Sequence, residues 1–190
     1  HYLGTVKPFS AAVLNLADDH LDWHGSFEAY RDAKAKIFEN TQVACVYNVA
    51  DSQTERMVEN ADVQEGARAI GFTIGTPMRS QVGFVEDILC DRAFLDDRAN
   101  NALEIATLED LSNTGVMTPH LMANAAAATA LARSYGVSPV DIKAALKKFR
   151  LDAHRIELVA EVDGIRWIDD SKATNPHAAA ASLNSFDNIV

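Results

Sequence analysis

The chain has 190 residues, enough for one core or for one domain and part of another. Apolar residues make up 48% and charged residues 23%, an ordinary balance for a globular protein, and no apolar run approaches the roughly 20 residues a membrane helix needs. The net charge of −10 comes with no basic stripe, which argues against a nucleic-acid binder but not against small anionic substrates held by a few local Lys and Arg.

The opening His1-Tyr2-Leu3-Gly4 has no basic n-region, no apolar h-region and no initiator Met, so no signal peptide is expected and the chain reads as cut from something longer. Residues 11–16 form a short apolar run, the pattern of a buried strand, followed by a polar, charged turn over 17–26. Residues 27–40 read as a helix with Ser26 as N-cap, and Phe27, Tyr30, Lys34, Ile37 and Phe38 fall near one face. A second buried strand is expected over 42–47, a polar helix over 51–60 from an Asp51-Ser52 cap, and a third strand over 69–73. Cys45 and Cys90 fit no C-x-x-C pattern and sit in apolar runs, which predicts buried, reduced thiols and a cytoplasmic protein.

Residues 81–89, 91–95 and 101–105 are rich in β-formers and are expected to make an antiparallel insert. Pro119 precedes an Ala-rich helix over 120–135 that Gly136 ends, and Ser138-Pro139 caps another over 139–149. The pattern changes at 150–155. Residues 156–162 and 165–169 flank Asp163-Gly164, a strong signal for a hairpin with a type I′ turn. Asn175-Pro176 opens a last helix to about 184, and Ile189-Val190 reads as the start of another strand.

Strands alternating with helices predict an α/β fold: a mostly parallel sheet flanked by helices, a small antiparallel β insert, and the beginning of a second α/β domain. The boundary is expected near Leu151, giving residues 1–150 and 151–190. In such sheets ligands sit at the carboxyl ends of strands. That rule singles out the turn after Leu16 and the turn after Asp169.

The first turn, Asn15 to His24, carries three carboxylates and two imidazoles in ten residues. Such a cluster suits a divalent cation or an anionic substrate; it equally suits a solvated loop with an N-capping Asp. Lys34, on the apolar side of the next helix, is either a functional amine or a snorkelling side chain, as Lys36 is expected to be. In the second turn, Asp170-Ser171-Lys172-Ala173-Thr174-Asn175 leads into a helix start, which attracts phosphate through free backbone N–H groups; capping by Thr174 or Asn175 is the plainer alternative. His120 and Asn124 share one helix face. His154 and Arg155 sit at the expected junction, where an Arg can reach a ligand or pair with an acid.

Taken together, N-L-A-D-D-H-L-D-W-H followed by Y-R-D-A-K-A-K-I-F, then P-H-L-M-A-N-A-A-A-A, H-R-I-E-L-V and W-I-D-D-S-K-A-T-N resemble the Mur ligase family in order and over nearly the whole chain. The resemblance implies the later part of the central ATP-binding domain over 1–150 and the start of the C-terminal domain over 151–190. The D-S-K-A-T-N form points to the branch that adds D-glutamate to UDP-N-acetylmuramoyl-L-alanine in peptidoglycan precursor synthesis, with ATP and Mg2+ as cofactors and a monomer expected. Another branch of the family or a folylpolyglutamate synthase is the alternative. By the same resemblance His20 is a metal ligand near the γ-phosphate, Asp19 orders the site beside it, and Lys34 is the lysine this family carbamylates. Asn124 matches an adenine contact, Arg155 a nucleotide-binding arginine, and Asp170, Ser171, Lys172 and Thr174 the turn that closes on nucleotide and acyl phosphate. Leu121 stands where the family often has Asn. No G-x-x-x-x-G-K-[ST] loop occurs in the sequence, although the family carries one ahead of these residues. Two rivals remain at this point: a metal-dependent hydrolase built on D-D-H-L-D-W-H, and a non-catalytic module.

Overall fold

Six strands pair in chain order, β1-β2-β3-β4-β5-β6, in one sheet. A computed structural model describes residues 6–17, 21–114 and 117–190. The strands are β1 (Ser10–Val13), β2 (Ala44–Asn48), β3 (Arg68–Phe72), β4 (Gln81–Val85), β5 (Ile88–Asp91) and β6 (Leu103–Thr107). The first four are parallel and the last two continue the same sheet antiparallel. The helices are α1 (Leu21–His24), α2 (Phe27–Ala35), α3 (Ser52–Glu59), α4 (Pro119–Ser134) and α5 (Pro139–Lys148). A separate hairpin, β7 (Glu157–Val162) and β8 (Ile165–Asp169), is followed by α6 (Pro176–Leu183).

Both faces of the parallel strands are covered, so their sequences are continuously apolar rather than alternating. On one face Val46, Ile70, Phe72, Val82, Phe84 and Leu89 pack against the small side chains Ala126, Ala127 and Ala130 of α4. On the other, Ala11, Val13 and Cys45 meet Phe38 and Met57 from the α2 and α3 side. Both cysteines are buried free thiols, and burial pushes each thiol pKa up.

The caps follow the sequence. Ser26 Oγ accepts from the Ala29 N–H, an Asp51 carboxylate oxygen from Gln53 N–H, Thr118 Oγ1 from Leu121 N–H and Asn175 Oδ1 from Ala178 N–H. Asn175, not Thr174, is therefore the cap of α6. Asp163 and Gly164 both have positive φ, 52° and 76°, as a type I′ turn requires.

Several boundaries differ from the sequence reading. The helix expected over 27–40 tightens into a 3₁₀ turn at Lys36–Phe38, and Asn40 turns left-handed (φ 59°). The run expected as one strand over 81–89 folds back at Glu86 (φ 55°), making β4 and β5 a hairpin. The strand expected over 91–95 ends at its first residue, because Asp91 Oδ1 accepts from the N–H groups of Ala93 (2.6 Å) and Phe94 (2.9 Å). The other oxygen of this fully buried carboxylate takes the Arg133 guanidinium of α4 at 2.8 Å, so the charge is paired where it could not be left alone. Ile189 and Val190 belong to no strand. Among the described residues, no helix is long and apolar enough to cross a membrane.

Candidate active site

The chain leaves β1 at Val13 and enters a stretch that is held from β2 and α3. The Asn48 side-chain amide donates to Leu14 O at 2.9 Å, and the Asp51 carboxylate accepts from Leu16 N–H at 2.8 Å. Asn48 Oδ1 also accepts from Ala50 N–H, which fixes the amide orientation. Sequence reading took Asp51 as a helix cap and passed over Asn48. Their second role spans 34 and 35 residues and leaves no local signal.

Two recesses meet at this stretch, both walled by Leu14 and Asn15. The first, about 530 Å³, is lined by Ala12, Val13, Ala33, Lys34 and Lys36. Lys34 is half-buried, with its Nζ 4.9 Å from the centre of the Tyr30 ring; among the described residues it pairs with no carboxylate. Lys36 is exposed along the same wall, as a snorkelling lysine should be.

The second recess, about 210 Å³, lies where β2 and β3 end and α4 begins. Phe72, Ile74, Pro119 and Ala123 give it apolar walls, and Asn48, Thr73, His120 and Asn124 give it polar groups. His120 and Asn124 share this wall because they are four residues apart on α4. Leu121 is buried and lines neither recess. The ring Nε2 of His120 lies 3.1 Å from Thr118 Oγ1, the cap of α4. Burial pushes its pKa down, and the Asp170 carboxylate partly offsets that.

The turn after β8 is tied to the stretch before β7. Lys172 N–H donates to His154 O at 3.1 Å, and Asp170 Oδ1 accepts from Ile156 N–H at 3.1 Å. Asp169 accepts from Ser171 N–H at 2.9 Å, and its other oxygen lies 2.7 Å from His154 Nδ1. The histidine contact and the Ser171 hydrogen bonds hold the Asp169 carboxyl down at about 2. Lys172 reaches toward Asp152, Nζ to Oδ2 4.0 Å, with its side chain 43% exposed.

The residues singled out from sequence thus fall into three places. Lys34 and Asn124 line the two recesses on either side of Asn15. Arg155, Ser171, Lys172 and Thr174 are exposed and Asp170 half-buried, and none of them walls either recess. Asp19 and His20 lie outside the described residues.

Comparison with protein families adds a decisive observation: the Mur ligase middle domain matches residues 1–132. The chain belongs to the Mur ligase family. A relative from Leifsonia xyli subsp. xyli, named UDP-N-acetylmuramoylalanine–D-glutamate ligase, is 61% identical over 98% of this chain and 36% of its own length. One of the same name from Streptomyces coelicolor is 55% identical over the whole chain and 40% of its own. The chain thus spans about two fifths of the length of these relatives. Among solved Mur ligases, a UDP-N-acetylmuramoyl-L-alanyl-D-glutamate–2,6-diaminopimelate ligase superposes with a TM-score of 0.64 at 18% identity, covering 93% of this chain and 35% of that one, which is a likeness of fold. Membership of the Mur ligase family sets aside the hydrolase reading of D-D-H-L-D-W-H.

Proposed function

We propose that the chain is part of an ATP-dependent ligase that joins D-glutamate to UDP-N-acetylmuramoyl-L-alanine in the cytoplasm, acting as a monomer. The observation that carries this reading is the 61% and 55% identity to relatives bearing that name, since the fold alone is shared by ligases with other substrates. Residues 1–150 are the later part of the ATP-binding domain and residues 151–190 the beginning of the C-terminal domain.

The second recess suits a nucleotide base: apolar walls for a flat ring, and side-chain amides for its edge. Asn124 contacts the adenine there, and Arg155 with Asp170, Ser171 and Thr174 holds the nucleotide from the other side when the domains close. Asp19 and His20, which follow β1 in the sequence, act at the phosphates as the family resemblance implies. Lys34 lines the first recess, and among the described residues no carboxylate pairs with it; this is the lysine that would take up carbon dioxide. As a carbamate it presents two oxygens, which together with His20 would hold Mg2+. When bound, Mg2+ neutralises phosphate oxygens and lets a carboxylate approach them.

The L-alanyl carboxylate is a poor acyl donor. Its oxygen attacks the γ-phosphorus, ADP leaves, and an acyl phosphate results. The D-glutamate amine then adds to the acyl carbon, and phosphate departs as the amide forms. Lys172 stabilises negative charge on the transferring phosphoryl group.

Phosphate release measured on the full-length parent tests this reading. With UDP-N-acetylmuramoyl-L-alanine and ATP, D-glutamate should support turnover, and L-alanine or diaminopimelate in its place should not. The 190-residue chain, which contains no phosphate loop, should stay at background with all three substrates. Preference for another amino acid by the parent, or turnover by the chain alone, contradicts the proposal.

A further inference from the structure

We propose that His154, Glu157 and Asp169 form a binding site for a borderline divalent transition metal ion, zinc foremost. The proposal does not rest on the ligase reading, and no residue of the two recesses takes part. Each of the three side chains offers one ligand atom, and these atoms lie within 4.8 Å of one another.

The hairpin dictates this arrangement. Glu157 and Asp169 are directly opposed in the β7–β8 register, so their side chains share one face. Like charges directly opposite each other in a strand pair repel. Here a third group, the His154 imidazole, stands against them, with Nδ1 2.7 Å from Asp169 Oδ2. A dication would neutralise both carboxylates at once. Imidazole with two carboxylates suits zinc, whereas magnesium prefers an all-oxygen set.

Both carboxylates are already oriented through backbone N–H groups. Glu157 Oε2 accepts from His154 N–H at 2.8 Å, and Asp169 Oδ1 accepts from Ser171 N–H at 2.9 Å. Such outer contacts are what hold metal ligands in place. A tetrahedral site with bonds of about 2.0–2.2 Å puts its ligand atoms roughly 3.3–3.6 Å apart. The three groups therefore need shifts on the order of 1 Å, within side-chain rotation. Access is open: His154 is 56% exposed and Asp169 30%. The remaining coordination positions fall to water or to a ligand. Occupancy would pin the stretch before β7 to the end of β8, one residue ahead of Asp170 and three ahead of Lys172.

Zinc chloride titrated calorimetrically into the chelator-stripped 190-residue chain tests the site. One equivalent should bind in the micromolar range. Glu157→Gln, Asp169→Asn and His154→Ala should each weaken it about tenfold or more. His177→Ala, at an exposed histidine outside the cluster, should leave it unchanged. Zinc should also slow amide hydrogen exchange at residues 154–157 and 169–171 of the unaltered chain, a readout that needs no variant. Binding weaker than about 1 mM, equal binding by the three ligand variants, or protection that appears elsewhere instead overturns the proposal.

Discussion

Lys34 is the residue at which two chemistries diverge most sharply. A structural lysine needs its positive charge; a carbamate needs a nucleophilic amine. Arginine keeps the first and cannot supply the second. In the full-length parent, Lys34→Arg should therefore inactivate about as strongly as Lys34→Ala, and wild-type turnover should fall in bicarbonate-depleted buffer. An active Lys34→Arg enzyme would rule the carbamate out. Lys172 makes a different kind of contribution, to charge that develops during transfer. Lys172→Ala should lower kcat about 10²–10³-fold while changing the KM for ATP little, and a change confined to KM would exclude the role. Spacing alone places Lys34 beside the buried Tyr30 on one side of α2 and His120 and Asn124 one turn apart on α4, whereas the roles of Lys34 and Lys172 come only from the family resemblance. Asn48 was not legible. Its hydrogen bond to Leu14 O exists because β1 and β2 are neighbours in the sheet, a fact no local window contains.

At the scale of elements, α5 is fastened by Asp110. This carboxylate, 10% exposed, accepts from Thr107 N–H at 2.9 Å and pairs with Lys147 (2.9 Å) and Lys143 (3.0 Å). Burial alone pushes its pKa up, but the Thr107 N–H and the two lysines outweigh that and hold it well below the usual carboxylate range. A pKa depressed in the folded state gives stability that is fully present above the unfolded value of about 3.9 and is lost as pH falls below it. Asp110→Asn should cost about 1–3 kcal/mol at pH 7, and the difference from wild type should shrink as pH drops below about 4. Urea midpoints at pH 7, 5 and 3 measure both; a pH-independent difference would contradict the assignment. Element types were readable where caps and turns carry distinct residues, as at Ser26, Pro119 and Asp163-Gly164. The β4–β5 fold-back was hidden because apolar side chains continue on both sides of Glu86, and the end of β5 was hidden because it depends on which way the Asp91 carboxylate turns.

The whole molecule is unevenly held. The six-stranded sheet is covered on both faces, whereas residues 151–190 bury Ile156 and Ser182 and expose Val159 and Trp167. A two-stranded sheet with so little buried surface is marginal by itself. Native-state hydrogen exchange should therefore show much lower protection for β7 and β8 than for β2, β3 and β4, and equal protection would mean the hairpin shares the main cooperative unit. The strand order has a different consequence, during synthesis. Each strand after β1 emerges beside the one made just before it, so pairing can proceed at a growing edge without threading. The apolar face made by Val46, Ile70, Val82 and Phe84 nevertheless waits for α4, which is translated after every strand of that sheet. Until residues 119–134 clear the ribosome, the nascent sheet presents a bare face to the cell, and that interval is when it is most exposed to aggregation and to chaperones.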